Sequence, residues 1–308
     1  MIGITDIASY IPPASVSNLE RAEAAGKSRE FVENKIGFRR VARKAGDEET
    51  SDLCVRAFAA LAAKRRVDKQ AIDCVVVCTQ NPDGRGLPHT SAVVHAKLGL
   101  PDGVAAFDIS LGCSGFVYGL SIALAFMRAN GLKQGLLFTA DPYSKILDLD
   151  DYDTELIFGD AAAVTYLSEQ PVYRMLKARF ATNGRLRHSI QVKEDTGRLS
   201  MLGSNVFKFT MTAVPAQIEA CLSDNGLAKD DIELFLFHQG SKFIVDNLGK
   251  KLGVPAEKAP FEARDLGNTV SSTIPLMLEE RLVAGPTRIV ITGFGVGLSW
   301  GTSVLERV

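Results

Sequence analysis

Short apolar runs rich in β-branched residues alternate along the chain with longer segments whose apolar residues recur at helical spacing. Alternation of this kind is typical of α/β folds. Ser17 or Asn18 is a candidate cap for a short early helix. In the first half the pattern predicts strands at residues 2–11, 72–79, 105–111, 135–140 and 161–167, and helices at residues 51–66, 91–98 and 115–128.

The second half of the chain echoes the first. Each half contains a hydrophobic central helix and ends in a pair of strands around a corner of small residues. We therefore predict two halves of one topology, residues 1–170 and residues 171–308, which pack as one body because no Pro/Gly/Ser-rich linker separates them. The predicted strands here are residues 175–182, 234–237, 288–292 and 299–306, and the helices are residues 210–223, 241–252 and 269–283.

Composition narrows the class of protein. The 308 residues are 46% hydrophobic and 23% charged, as in an ordinary globular protein, and the net charge of −1 offers no basic field for nucleic acid or a membrane surface. No apolar run reaches the roughly 18 residues of a membrane span, and no signal peptide is recognisable. We expect a cytoplasmic protein.

The five cysteines are odd in number and scattered, which indicates a reducing compartment. Cys74 and Cys78 share one face of a β-branched strand, but no second Cys or His pair completes a zinc site. Core packing is therefore the favoured interpretation of this pair, and no metal is predicted.

Cys113 is the candidate nucleophile. It lies in a turn of small residues, Gly112–Gly115, between a predicted strand and the first turn of a predicted helix. Free backbone N–H groups and the positive end of a helix dipole favour a thiolate at such a position. The alternative is a small core residue beneath a buried helix.

Two further motifs carry chemistry. His238 follows an apolar strand, where ligands gather in open α/β sheets, and Asn268 precedes a long predicted helix. Taken alone, His238 could be a satisfied polar residue and Asn268 an N-cap. Together with Cys113 they form a set suited to acyl transfer and to stabilising an enolate. The run Gly293–Gly297 lacks dinucleotide-loop spacing and is better interpreted as a turn that offers an N–H to an oxyanion.

These residues carry a resemblance to the thiolase-fold condensing enzymes, and most of all to β-ketoacyl-[acyl-carrier-protein] synthase III. The match extends over nearly the whole chain. The motifs that carry it are Asp108–Gly115, Phe158-Gly159-Asp160, Asn205-Val206-Phe207-Lys208, His238-Gln239, Gly267-Asn268-Thr269 and the run from Gly293 to Gly301.

The resemblance implies a five-layered α-β-α-β-α fold with two similar halves, and a homodimer. It implies that Cys113 takes an acyl group from acyl-CoA, which is a substrate rather than a cofactor, and that no cofactor is needed. It then implies that malonyl on an acyl carrier protein loses CO₂, while His238 and Asn268 stabilise the enolate. Phe294 would lie beside the thiol, and the Val296 N–H would join that of Cys113 in the oxyanion hole.

Departures from the family pattern concern substrate binding. Phe31 stands where the family has a Trp at the CoA tunnel, and Lys35 stands where it has an Arg, so stacking and phosphate contact should be weaker. Ser241 replaces a supporting Asn. Leu87 replaces an aromatic residue that reaches in from the partner subunit and limits acyl length. The resemblance also assigns Gly203 to substrate binding.

The sequence is compatible with two rival functions. An acyltransferase of the same fold would pass the acyl group from Cys113 to a hydroxyl, amine or carrier thiol without decarboxylation. The pair of His238 and Asn268 disfavours it, because simple transfer has no enolate to stabilise. A non-catalytic scaffold subunit would lack Cys113. The sequence does not define the starter acyl group, the extender or the pathway, whether fatty acid or specialised metabolite. It also leaves open whether CoA or a carrier protein delivers the starter.

Overall fold

The computed structural model describes residues 1–308 as a mixed α/β structure. The helices are α1 Asn18–Ala24, α2 Thr50–Lys64, α3 Thr90–Leu98, α4 Gly115–Ala129, α5 Tyr152–Glu155, α6 Gly203–Asp224, α7 Lys242–Leu252 and α8 Thr273–Glu279, with a π-helix at Phe31–Ile36. The strands are β1 Gly3–Tyr10, β2 Ala14–Ser17, β3 Arg40–Arg43, β4 Cys74–Cys78, β5 Ala105–Ile109, β6 Gly135–Ala140, β7 Ala162–Ser168, β8 Tyr173–Met175, β9 Arg179–Thr182, β10 Ile190–Val192, β11 Leu199–Met201, β12 Leu234–Phe237, β13 Arg288–Gly295 and β14 Ser299–Arg307.

Ten of the fourteen strands form two similar half-sheets, whereas β2 with β3 and β10 with β11 form separate pairs. The main path runs β12-β13-β14-β8-β1-β7-β6-β4-β5. In the first half, β7 is antiparallel to β1 and β6, and β4 is parallel to β6 and β5. In the second, β14 is antiparallel to β8 and β13, and β13 is parallel to β12. The halves meet where Ile4 of β1 pairs with Tyr173 of β8. The division of the chain between residues 170 and 171 stays a prediction.

Successive residues of a strand point to opposite faces of the sheet, so their packing partners show which helices lie on each face. Val75 of β4 packs with α2 and α3, whereas Val76 packs with α4. Phe235 of β12 packs with α6 and α7, whereas Leu236 belongs to the cluster that holds α4 and α8. Helices α4 and α8 therefore lie between the half-sheets, and the five predicted α-β-α-β-α layers are present.

Most predicted elements agree with the structure to within a few residues, but three do not. The strand predicted at 175–182 is split into β8 and β9. Its neighbour β14 pairs Leu305 with Met175 and Thr302 with Arg179, so one extra residue is accommodated between them, as in a β-bulge. Helix α6 begins well before the predicted residue 210, at Gly203.

The helix predicted at 269–283 is the third correction. Only Thr273–Glu279 is α-helical, and a short 3₁₀ turn, Val270–Ser272, precedes it. Val270 has a φ of 53°, outside the helical region, and its N–H is bound by the Asn268 side chain. The α-helix therefore cannot begin at Thr269. None of the helices has the length and apolar character needed to cross a membrane.

Candidate active site

One cavity of about 430 Å³ gathers the predicted site residues. Side chains from both halves line it, and Leu87 is the only predicted site residue that does not. The predicted residues on its wall are Cys113, His238, Asn268, Phe294, Val296, Phe31, Lys35, Gly203 and Ser241.

Cys113 lies two residues before α4, in a turn closed by a 2.7 Å hydrogen bond from the Gly115 N–H to the Gly112 carbonyl oxygen. Strand β13 passes directly against this turn. A Cβ atom on Gly295 would lie 2.7 Å from Cys113 Sγ, and one on Gly293 would lie 2.6 Å from the Cys113 carbonyl oxygen. Contacts this short exclude any side chain. The two glycines therefore allow the end of β13 to reach the thiol.

The thiol of Cys113 is protonated in the resting protein. Burial is the main cause that raises its pKa to about 12, and the nearby Asp141 carboxyl adds to the rise. Hydrogen bonds from the backbone of Val296 and of Cys113 itself act in the opposite direction. The expectation of a lowered pKa at the helix N-terminus was wrong, because removal of the sulfur from water outweighs the nearby N–H groups. Those two N–H groups, however, converge on the sulfur.

His238 is uncharged at neutral pH. Burial lowers its pKa to about 3, against a partly opposing hydrogen bond with the Val270 backbone. The imidazole stands edge-on to the Phe294 ring, at 5.6 Å between centroids, and its Nδ1 lies 2.9 Å from Thr273 Oγ1. No hydrogen bond within the chain uses Nε2. The neutral ring therefore has one nitrogen held by Thr273 and the other available to a ligand.

The side-chain amide of Asn268 has a defined orientation. Its Oδ1 accepts a 2.9 Å hydrogen bond from the Val270 N–H, and the residue is almost completely buried. The backbone of Asn268 is bonded on both sides, to Ile157 and to Gly159. Because Oδ1 is occupied, the Nδ2 amino group is the atom left free to donate. The N-cap alternative is wrong, because the N-cap position of the 3₁₀ turn is Thr269 and that of α8 is Ser272. Asn268 instead forms a local turn with Val270 through one atom and leaves the other for a ligand.

Val270 supports both polar side chains, and the sequence carries no signal that identifies it. A β-branched residue with positive φ is strained, and such strain concentrates at functional sites. Here the N–H of Val270 binds Asn268, while its carbonyl oxygen accepts a 3.2 Å hydrogen bond from the Thr273 hydroxyl. Because Thr273 also contacts His238, one strained residue positions both of them.

Comparisons with known proteins agree with this geometry. The family model described as 3-oxoacyl-[acyl-carrier-protein (ACP)] synthase III matches residues 107–184, and the model of its C-terminal part matches residues 222–307. A β-ketoacyl-[acyl-carrier-protein] synthase III of Lactococcus lactis subsp. cremoris (strain MG1363) is 32% identical, over 98% of both chains. The chain belongs to the synthase III family. Its fold is accordingly the thiolase-type fold that the resemblance implied.

Several solved structures match the chain over 99% or more of its length. A 2.1 Å crystal structure of a 3-oxoacyl-(acyl-carrier-protein) synthase III has a TM-score of 0.93 at 32% identity, with 99% of each chain covered. The Thermus thermophilus enzyme has a TM-score of 0.91 at 29% identity, again over 99% of each chain. A priming β-ketosynthase of the R1128 polyketide pathway has a TM-score of 0.89 at 27% identity, over 100% of this chain and 96% of the other.

The residues at the mouth of the cavity differ from the family pattern in their chemistry. The Phe31 ring lies under two ammonium groups, those of Lys27 at 5.2 Å and Lys35 at 5.5 Å from its centroid. Lys27 also pairs with Asp153, a cavity residue that the sequence analysis missed, at 2.7 Å. Ser241 caps α7 by accepting a 3.2 Å hydrogen bond from Ile244. The mouth therefore combines an aromatic ring with charges of both signs.

Leu87 lies outside the cavity, at the tip of a loop, and is 93% exposed. The base of that loop is firmly held. The Asp83 carboxylate accepts a 2.8 Å hydrogen bond from the Ser51 N–H, and Lys145 Nζ donates to the Pro82 carbonyl oxygen at 2.7 Å. A well-anchored loop thus presents an apolar side chain to its surroundings.

Proposed function

We propose that this chain catalyses decarboxylative condensation of an acyl starter, taken from acyl-CoA, with a malonyl thioester on an acyl carrier protein. The observation that carries the proposal is the free Nδ2 of Asn268 beside an uncharged His238, in the same cavity as Cys113. Two neutral hydrogen-bond donors suit an enolate oxygen, which develops negative charge only during the reaction.

The first step is acylation of Cys113. The sulfur adds to the thioester carbonyl to form a tetrahedral intermediate, and the C–S bond to CoA breaks when that intermediate collapses. Because the thiol has a pKa of about 12 and His238 a pKa of about 3, the resting pair is thiol and neutral imidazole. The proton therefore moves to Nε2 only as the sulfur bonds to carbon, and then passes to the departing CoA thiolate. The N–H groups of Cys113 and Val296 bind the tetrahedral oxyanion.

The second step is condensation. Loss of CO₂ from the malonyl thioester leaves its electron pair in an enolate, whose oxygen accepts hydrogen bonds from His238 Nε2–H and Asn268 Nδ2–H. The enolate carbon attacks the acyl-cysteine carbonyl, the C–S bond to Cys113 breaks, and the departing thiolate takes up a proton from water. In the first step the Thr273 hydroxyl donates to the Val270 carbonyl oxygen and accepts from His238 Nδ1–H, which leaves Nε2 free to take the thiol proton. In the second step the Thr273 hydroxyl turns to donate to Nδ1, which places the ring proton on Nε2. No metal or organic cofactor enters these steps.

The proposed assembly is a homodimer. The support for it is the family resemblance, which places Leu87 where a side chain reaches into the partner subunit, and Leu87 is exposed on a loop anchored at its base. In the dimer, Leu87 of the partner subunit closes the far end of the acyl tunnel. Analytical ultracentrifugation should give the mass of two chains, and the Leu87→Asp variant should weaken the dimer.

Simple acyl transfer is the second candidate, and the Asn268 amide argues against it. Transfer from Cys113 to an alcohol or amine requires a base and an oxyanion hole, both of which are available without Asn268. A buried amide with one atom held and a donor left free has no role in that reaction. In the condensation reaction, that donor binds the enolate oxygen.

Intact-protein mass spectrometry tests the proposal directly. Incubation with a panel of acyl-CoAs should add one acyl group to Cys113, and Cys113→Ala should abolish the adduct. Addition of malonyl carrier protein should then release CO₂ and a β-ketoacyl product. Acylation without CO₂ release would favour the acyltransferase, and an adduct that survives Cys113→Ala would refute the nucleophile.

A further inference from the structure

The two N–H groups assigned to the oxyanion hole come from segments far apart in the chain. One belongs to Cys113, in the turn before α4, and the other to Val296, in the turn between β13 and β14. An oxyanion hole works only if both donors are held at a fixed separation. Val296 lies between two glycines, and Gly297 has a φ of 133°, so the turn has little intrinsic stiffness.

A pair of buried hydroxyl groups connects these two segments. Ser299 Oγ donates a 2.9 Å hydrogen bond to the Val296 carbonyl oxygen. It also lies 2.7 Å from Ser114 Oγ. Because the Ser299 proton is used toward Val296, the Ser114 hydroxyl is the donor between the two side chains. Both serines are almost completely buried, so water does not compete for these bonds.

We propose that Ser299, together with Ser114, is a positioning residue that holds the Val296 N–H in the oxyanion hole. This inference rests on the proposed function. Ser114 directly follows Cys113, and Ser299 pairs with Gly295 across the β13–β14 ladder. The chain Ser114–Ser299–Val296 therefore links the nucleophile turn to the oxyanion turn by side chains that themselves touch no reacting atom.

Loss of a positioning hydroxyl should affect the two half-reactions unequally, whereas loss of a purely structural one should not. The oxyanion hole serves acylation of Cys113, whereas CO₂ release from a malonyl thioester without an acyl donor depends on His238 and Asn268. Ser299→Ala should therefore slow acylation by about tenfold, the effect of one lost hydrogen bond, and leave that CO₂ release unchanged. The KM for acyl-CoA should not change, because the hydroxyl does not contact substrate.

The experiment compares four variants by rapid-quench mass spectrometry and by CO₂ release. Ser299→Ala and Ser114→Ala each remove one of the two hydroxyl groups. Ser299→Thr keeps a hydroxyl at position 299 and should have the wild-type rate. Ser303→Ala is the matched control, because Ser303 is a buried serine of the same strand whose hydroxyl donates to the Leu176 carbonyl oxygen at 3.0 Å.

The outcomes are distinguishable. Slow acylation in both alanine variants at normal CO₂ release, with a normal Ser303→Ala, supports the positioning role. Acylation within about twofold of wild type in folded Ser299→Ala and Ser114→Ala overturns it. Equal losses of acylation and CO₂ release also overturn it, since they indicate a general defect. If the wild type itself takes up no acyl group, the proposed function fails, and the inference fails with it.

Discussion

Replacing Asn268 by aspartate separates the two tasks of this side chain. Asn268 holds the Val270 N–H through Oδ1 and offers Nδ2 to the cavity. The aspartate variant keeps an oxygen for Val270 but replaces the donor by a second oxygen, which repels an enolate. Asn268→Ala removes both interactions. The two variants should therefore differ in folding stability, whereas both should lose the ability to decarboxylate the malonyl thioester.

The magnitudes follow from the structure. One lost hydrogen bond to the Val270 N–H costs about 1 kcal/mol of folding free energy, so Asn268→Ala should lower Tm. Loss of one donor to an oxyanion typically costs about 100- to 1000-fold in rate, and both variants should show this loss in CO₂ release. Acylation of Cys113, which uses different donors, should stay within about threefold of wild type. Because the introduced carboxyl group regains a donor when it is protonated, the residual CO₂ release of Asn268→Asp should rise as pH falls.

The assay measures radiolabelled CO₂ from malonyl carrier protein and, separately, the acyl adduct by mass spectrometry. Asn225→Asp is a matched control, since Asn225 also accepts a backbone N–H, from Lys177 at 3.1 Å, and donates to backbone oxygens away from the cavity. Normal CO₂ release in Asn268→Asp would refute the donor role. An equal loss of acylation in that variant would indicate a disturbed cavity rather than a missing donor.

Three further predictions concern the thiol and the starter. Because the pKa of Cys113 is about 12, its rate of alkylation by iodoacetamide should rise about tenfold per pH unit from pH 7 to 10, and a plateau near pH 8 would contradict this pKa. Gly295→Ala, whose methyl group would lie 2.7 Å from Cys113 Sγ, should abolish acylation in mass spectra, and a normal adduct would show that β13 can move away. Acylation efficiency should rise from acetyl- to medium-chain CoA, by up to about 0.8 kcal/mol per buried methylene, and Leu87→Phe should reverse the trend; an unchanged preference would exclude this loop from chain-length control.

Local pattern accounts for what the sequence predicted correctly. The order of strands and helices follows from apolar spacing, because burial of one face requires that spacing. Cys113 could be found because a strand, a turn of small residues and a helix meet there. His238 and Asn268 could be found because each stands at the end of an element, next to a recognisable short motif. These features depend on neighbours in the chain, which a single sequence records.

Tertiary structure decided everything that depends on distant neighbours. Packing around Cys113 raised the pKa of its thiol, although the local turn predicted the reverse. The strained φ of Val270, which delays the start of the predicted helix to Thr273 and orients Asn268, follows from contacts that no local pattern specifies. The Ser114–Ser299 hydrogen bond joins residues that are 185 positions apart in the chain. The sequence by itself determined which chemical groups are available, whereas folding determined their protonation and their direction, because desolvation and hydrogen-bond geometry exist only once the layers are packed.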